Sequence, residues 1–321
     1  MEPGPQAAQS GPDDVRVSVV IPTFNGSKYI AETLRAVLAQ THEAVEIIVV
    51  DDGSTDDTLA VVTAVAPQAH RLQQQNAGVS AARNRGLAAA RGRYACFLDQ
   101  DDIWHAEHLT RQILWMDRNP DCGALVCPLI HWHPQDGVYV EPATFLQRPP
   151  TLTADPAFSG WVYHQFLKDC WALTSATMLR VDAVRAVGGF DATLRYSEDW
   201  DLWLRLSQQV PFALLNWPPV LYRHHPVQGS RALRRHDYRT ELLLRYARAH
   251  GLASADGRAM PRDVFAQTVA NYGAEFGYHH LQLGHRWTGV HALAMAWWRR
   301  PRHIKRLMQA AAGSVGWRPG R

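Results

Sequence analysis

Two β-branched runs dominate the early pattern of apolar and polar positions: VRVSVVIP from Val15 to Pro22, and VEIIVVDDGS from Val45 to Ser54. Each is nearly continuous in apolar residues and ends in turn-forming ones, as a strand buried on both faces of a parallel sheet requires. Between them, Ile30, Leu34, Val37 and Leu38 fall on one face of a helix predicted over Ser27 to Gln40. After the second run, Ser54 and Asp57 fit a capping box, and Leu59, Val61, Val62 and Val65 follow as a short helix. A third helix is predicted over Val79 to Ala90, closed by Gly92, with the strand RYACFLD behind it. This β-α-β-α opening predicts an α/β fold on a mostly parallel central sheet flanked by helices.

Past Asn119 the pattern weakens. PDCGALVCPLI predicts one further strand, and the Pro-rich stretch from Pro134 to Pro156 reads as loop. Regular signals return in CWALTSATMLR, in VDAVRAVGGFD and in the helix SEDWDLWLRLSQQ, where Trp200 and Trp203 read as core; beyond Tyr222 the chain is mostly helical. The first fourteen residues, MEPGPQAAQSGPDD, are Pro/Gly-rich and acidic with no apolar core, which predicts a disordered tail and neither a signal peptide nor an anchor. No run is long and apolar enough to cross a bilayer. The expected plan is a tail over 1–14, an α/β domain over 15–230 and a helical, basic region over 231–321.

Hydrophobic residues make up 46% and charged residues 20%, the balance of a soluble globular protein. Cys96, Cys122, Cys127 and Cys170 form no C-x-x-C pair and read as reduced thiols in a cytosolic setting; a zinc site on Cys122 and Cys127 lacks a second pair. The net charge of +3 conceals an asymmetry. From Phe276 to Arg321 there are eight Lys/Arg and no Asp or Glu, so this tail is +8 and the rest of the chain −5. A basic tail on an acidic body implies an anionic partner, with lipid and nucleic acid as the candidates.

The carboxylates carry the most chemical information. Asp51 and Asp52 end one predicted strand, and Asp99, Asp101 and Asp102 end another. In an open parallel sheet the C-terminal strand ends line the ligand crevice. Five acids there repel one another unless a cation joins them, and a divalent, oxygen-preferring metal that also holds phosphate is the simplest cation. For Asp51 and Asp52 alone, a solvated helix-capping turn is the better explanation of DDGSTDDT, since Asp-Gly turns are common. LDQDD, at the end of a buried-looking strand, is poor packing material unless it binds something.

In sequence order, VSVVIPTFNGSKYIAETLRAVLAQT, EIIVVDDGSTDDT, NAGVSAARNRGLAAARGRYACFLDQDD and GGFDATLRYSEDWDLWLRL resemble the family 2 glycosyltransferases of the GT-A fold, from about Val15 to Ser230. The resemblance implies an inverting transfer of a sugar from a nucleotide-sugar donor, UDP-linked by preference, to a hydroxyl of a glycan or lipid-linked acceptor. Pro22 and Thr23 look like part of the nucleotide-contacting loop. Asp52 is similar to the acid that hydrogen-bonds the base, with Asp51 beside it, and Arg83 looks like the basic residue near that base; a surface helix arginine is the alternative. Asp99-Gln100-Asp101 is similar to the D-x-D signature, extended by Asp102, that places manganese or magnesium on the donor diphosphate. In Tyr222-Arg223-His224-His225, His225 matches a histidine that completes the metal or diphosphate site, while His224 faces elsewhere. Asp199 takes the place of the general base, with Glu198 beside it, because an inverting transfer needs a carboxylate to accept the acceptor hydroxyl's proton; as helix first-turn acids the two also suit the dipole.

Two other readings compete. A sugar nucleotidyltransferase would carry a G-x-G-x-R type fingerprint near the first strand, and none is present. A non-catalytic adaptor would bind membrane or another anion through the tail, yet every motif acid is retained. In that tail Trp287, Val290, Leu293, Ala294, Trp297 and Trp298 recur at helical spacing ahead of Arg299, Arg300, Arg302, Lys305 and Arg306. The expectation is a cytoplasmic enzyme in which these aromatics pack on the catalytic domain and the arginines form a solvated face; since tryptophan beside arginine also suits a membrane interface, a peripheral position on the inner membrane face is the other reading. Nucleic acid is not expected, since no recognised binding motif accompanies the charge.

Overall fold

The computed structural model of the chain describes residues 16–149, 151–226, 228–229, 234–301, 304–314 and 319. The expected disordered tail over 1–14 lies outside them. The chain divides into two compact units, Met1–Gly160 with Ala172–Pro226, and Trp161–Trp171 with Val227–Arg321.

The first unit opens with β1 (Val17–Thr23), α1 (Ile30–Leu38), β2 (Val45–Asp51), α2 (Thr58–Val65), β3 (His70–Gln73), α3 (Val79–Ala89) and β4 (Tyr94–Phe97). After these come β5 (Ile103–Trp104), α4 (His108–Arg118), β6 (Ala124–Val126), β7 (Leu129–Trp132) and the short α5 (Ala143–Leu146). The segment Trp161–Trp171, with its helix α6 (Tyr163–Phe166), belongs to the second unit. The chain returns as β8 (Thr177–Arg180), α7 (Val181–Ala186), α8 (Glu198–Leu206), β9 (Phe212–Leu214) and β10 (Val220–Arg223).

Seven strands form one sheet in the order β3-β2-β1-β4-β8-β6-β9, and β5-β10-β7 form a second. β3, β2, β1 and β4 are parallel, while β8 runs against both its neighbours. All seven residues of β1 are buried, which is why its sequence does not alternate. On one face Val17, Val19 and Ile21 join Ile30, Leu34 and Val37 of α1. On the other, Val20 meets α3 so closely that a Cβ on Gly86 would lie 2.2 Å from Val20 Cγ1. Fully burying each such side chain contributes about 1.5–3 kcal/mol.

Two local expectations are corrected. Ser54 does not cap α2: its hydroxyl accepts from Asn25 N at 2.9 Å and its own amide donates to Asp51 at 3.2 Å, so the loop after β1 takes the group the helix would have used. PDCGALVCPLI forms two strands, β6 in the large sheet and β7 in the small one. Pro128 between them has no amide to continue a ladder. None of the four cysteines is in a disulfide. Burial pushes the Cys122 and Cys127 thiols up to about 11 and about 12, and Cys122 donates to the Ala124 carbonyl, so both behave as protonated core groups.

The chain order explains the crevice. It leaves β1 for β2 and β3 on one side, then returns to β4 on the other, which makes the β1–β4 boundary a topological switch point with its ligand side at the strand C-termini.

The second unit is helical: α6, α9 (Tyr238–His250), α10 (Arg262–Gln282), α11 (Arg286–Arg299) and α12 (Ile304–Ser314). Ala274, Leu281, Leu293, Ala296 and Ala310 form its core, with Val290 and Ala294 packed against it. Trp287 and Trp298 are left outward, each 69% exposed. Among the described residues no helix is long and apolar enough to cross a membrane.

Candidate active site

At the ends of β1 and β4 the strands are latched through the middle residue of Asp99-Gln100-Asp101. Gln100 Oε1 accepts from the Thr23 hydroxyl at 2.5 Å and from Phe24 N at 3.0 Å, and Gln100 Nε2 donates to the Phe24 carbonyl at 3.2 Å. A Cβ on Gly26 would sit 2.1 Å from Gln100 Oε1, so a larger residue there would push the Gln100 side chain out of the latch. Thr33 of α1 donates to the Gln100 and Asp102 carbonyls at 2.9 and 3.0 Å, fixing the turn from beneath. Pro22 and Thr23 thus border the crevice, and Thr23 is committed to the latch.

Asp51 and Asp52 are buried at the end of β2. Asp51 braces the following turn through Ser54 N. Asp52 has a task the sequence does not announce: it accepts from Gln74 Nε2 at 2.7 Å and from the amides of Ala77 and Gly78 at 2.8 Å each, securing the loop that starts α3.

Arg83 is not a surface arginine, being 3% exposed. It occupies the buried face of α3 with Ala82, Gly86 and Leu87, and its guanidinium donates to Asp99 at 2.7 Å and to Glu198 at 3.0 Å. It also lies 5.2 Å from the Phe190 ring centre. Asn84 exchanges two hydrogen bonds with the Phe190 backbone, at 2.7 and 2.8 Å, which holds the GGF segment against α3. Arg83 therefore joins the D-x-D acid to the acid pair that opens α8.

That helix begins after Ser197, a non-glycine residue at φ 60. Such left-handed backbone costs about 1–3 kcal/mol and persists where surroundings impose it. Asp199 accepts from Trp200 N at 2.7 Å. Burial first, and the Glu198 charge second, raise its carboxyl to about 7 against the opposing pull of Arg83. Trp200 and Trp203 are core, as their spacing predicts.

On the other side of the D-x-D turn, Asp101 Oδ2 and His225 Nε2 lie 2.7 Å apart. Burial, then the neighbouring Asp99 charge, raises the Asp101 carboxyl above its usual range. The Tyr29 ring lies 4.7 Å from that of His225, whose Nδ1 is buried without a partner. His224 faces away, as expected: its Nε2 lies 2.8 Å from His131 Nδ1 and its ring stacks on His133.

Asp102 lies deeper than Asp99 and Asp101. It is fully buried, and its Oδ1 accepts from Arg223 N at 3.1 Å, tying the end of the D-x-D turn to β10. Burial, then Asp101 and Asp99, holds its carboxyl well above the usual range. The carboxyl is enclosed between the D-x-D turn and β10, with Oδ2 buried and without a hydrogen-bond partner. Among the described residues no three His, Cys, Asp or Glu side chains converge to hold a metal. Of the other two acids in the motif, Asp101 is paired with His225 and Asp99 with Arg83. Gln100 and Glu32 of α1, which meets Arg223 at 2.6 Å, went unnoticed in the sequence. Gln100 stood inside the motif; Glu32 gave no signal, because its partner is far along the chain.

Residues 18–168 match the sequence model of Glycosyl transferase family 2. These residues belong to glycosyl transferase family 2. The chain is 30% identical over 200 residues to an uncharacterized glycosyltransferase of Rickettsia conorii, across 61% of this chain and 31% of the relative. It is 34% identical over 151 residues to the putative teichuronic acid biosynthesis glycosyltransferase TuaG of Bacillus subtilis, across 46% of this chain and 58% of TuaG. The chain thus spans about a third of the first relative and little more than half of the second. Among solved structures it is similar to S. aureus TarS 1-349 in complex with UDP-GlcNAc, with a TM-score of 0.62 at 20% identity over 94% of this chain and 88% of that one. The family 2 domain therefore has the GT-A fold that its motifs imply.

Proposed function

We propose that this chain is an inverting glycosyltransferase that moves a sugar from a UDP-sugar to an acceptor hydroxyl in glycan or glycoconjugate biosynthesis, with Asp199 as general base. One observation carries the reading: Arg83 joins the D-x-D acid Asp99 to the Glu198–Asp199 pair, so a donor-side acid and a carboxyl raised to about 7 share one crevice edge. The charges divide the labour. Glu198 is neutralised by Arg83 and orients it, whereas Asp199 is the carboxyl poised to take a proton near neutral pH. The UDP preference is supported by the UDP-GlcNAc complex of the TarS neighbour, and a polymer or glycan acceptor by TuaG.

Manganese or magnesium would be held by Asp101 and His225 with Asp99 beside them. Two or three protein donors suit a cation that takes its remaining ligands from substrate phosphates and water. When bound, such an ion neutralises the charge developing on the leaving diphosphate. The residues themselves fix the turn: Gln100 holds the nucleotide loop, and Asp52 holds the start of α3.

The second unit places the enzyme on an anionic membrane surface, within reach of a lipid-linked acceptor. Supporting this, Trp287, His291 and Trp298 lie on the outward face of α11, with the two tryptophans roughly three turns apart. Arg286 lies 4.8 Å from the Trp287 ring centre, and no acid follows Glu275.

A melting-shift screen with UDP-, GDP- and TDP-sugars, with and without manganese, tests the donor. A manganese-dependent shift with UDP-sugars is expected; no shift with any of them overturns the reading.

A further inference from the structure

Arg223 is 1% exposed, yet it carries a full charge into the first unit. Its Cζ lies 4.4 Å from the Trp132 ring centre, 4.6 Å from that of Tyr139 and 4.9 Å from that of Tyr29. Nη2 donates to Glu32 at 2.6 Å, and Nε donates to the main-chain carbonyl of Asp101 at 2.8 Å. Its own amide donates to Asp102. The short segment from Arg223 to His225 therefore grips the D-x-D turn three times: at the Asp101 carbonyl, at the Asp101 carboxylate and at the Asp102 carboxylate.

Burying a guanidinium is costly, and an aliphatic side chain of similar size would fill a sleeve of three rings at least as well. What the aliphatic chain lacks is a rigid donor aimed at the Asp101 peptide. Lysine lacks it too, because its single ammonium cannot lie flat between rings while forking to a carbonyl and a carboxylate. With three ring centres within 4.9 Å of Cζ and two hydrogen bonds on the fork, the Asp101 carbonyl meets a donor with little freedom to wander. Tyr29 contributes twice, since it also packs on the His225 ring.

We propose that Arg223 is the positioning residue of the donor site: anchored on Glu32 among Tyr29, Trp132 and Tyr139, it fixes the Asp101 main chain so that the Asp101 carboxylate and His225 stay together as the groups that would hold a divalent cation. This rests on the donor site proposed above.

The test is calorimetric titration of the full chain with UDP, with and without Mn²⁺, for wild type, Arg223→Lys, Arg223→Met and Glu32→Gln, alongside circular dichroism for folding. The expected result is a loss of about tenfold or more in Mn²⁺-dependent UDP affinity for both Arg223 variants, with metal-free UDP affinity within about twofold of wild type. Lysine should not rescue, because the fork and not the charge does the positioning. Glu32→Gln keeps the arginine and weakens only its anchor, so its expected loss is smaller, about threefold, and it carries the test if the Arg223 variants fail to fold. Folded variants with wild-type Mn²⁺-dependent affinity overturn the proposal, as does an equal loss with and without Mn²⁺, which would make Arg223 merely structural. Wild-type protein that binds no UDP under either condition overturns the donor reading, and this proposal with it.

Discussion

Asp101 and His225 stand 124 residues apart in the chain and meet at 2.7 Å. The contact exists because β10 pairs with β5, which starts directly after the D-x-D turn, so the residues that follow β10 return to that turn. It divides the three acids of LDQDD into different tasks: Asp99 to Arg83, Asp101 to His225 and Asp102 to the interior.

Substituting these acids should therefore give different results. Asp101→Ala is expected to remove manganese-dependent UDP binding and keep the fold, since Asp101 is partly exposed and replaceable. Asp102→Ala is expected to lower stability by about 1–3 kcal/mol, because it leaves the Arg223 amide unsatisfied in the interior. Thermal melts beside UDP titrations distinguish the two; equal behaviour of both variants would return Asp102 to the donor site.

The pH dependence follows from Asp199. A base must be deprotonated, and its carboxyl is raised to about 7, so the transfer rate should rise with pH through about 7 and level off above it. Arg83 opposes that rise, so Arg83→Met should push the Asp199 carboxyl higher still and move the limb to more alkaline pH. Rate profiles of the two proteins measure the shift. An acid-side displacement for Arg83→Met would reverse the assigned coupling. The same substitution should cost about 2–3 kcal/mol of stability, below the ~3–5 kcal/mol for a wholly buried pair because Asp99 is a third exposed.

The strand ends were legible because continuous apolar runs stopped at acids, and a parallel sheet makes that edge the ligand side. Residue roles were less legible. Arg83, Asp52 and Asp102 were all found as neighbours of the site, yet each takes its task from a partner distant along the chain: Glu198, the Gln74–Gly78 loop and Arg223. A single chain read in order carries no sign of such pairings. PDCGALVCPLI read as one strand because apolar content alone does not say which sheet a residue joins. Nor does local pattern reveal that Trp161–Trp171 belongs with the C-terminal helices, where Tyr163 donates to the Tyr246 and Gly251 carbonyls.

Membrane docking by the second unit predicts co-sedimentation with anionic vesicles at low salt. Each basic residue near such a surface contributes about 1 kcal/mol, screened as ionic strength rises. Replacing Trp287 and Trp298 together by Ser, at positions where both are 69% exposed, should reduce recovery several-fold without changing the melt. Equal recovery of variant and wild type, or of a chain ended near Gly284, would sink the membrane role.

In the proposed reaction Asp199 accepts the acceptor's proton at a crevice edge shared with the donor acids. The most direct test is single-turnover sugar transfer from the UDP-sugar selected by the melting screen, comparing wild type with Asp199→Asn at saturating donor and acceptor. Removing a general base should slow the step by about 10²–10⁴-fold, with donor affinity within about twofold of wild type. Turnover by Asp199→Asn at the wild-type rate, or a loss confined to donor binding, would contradict it.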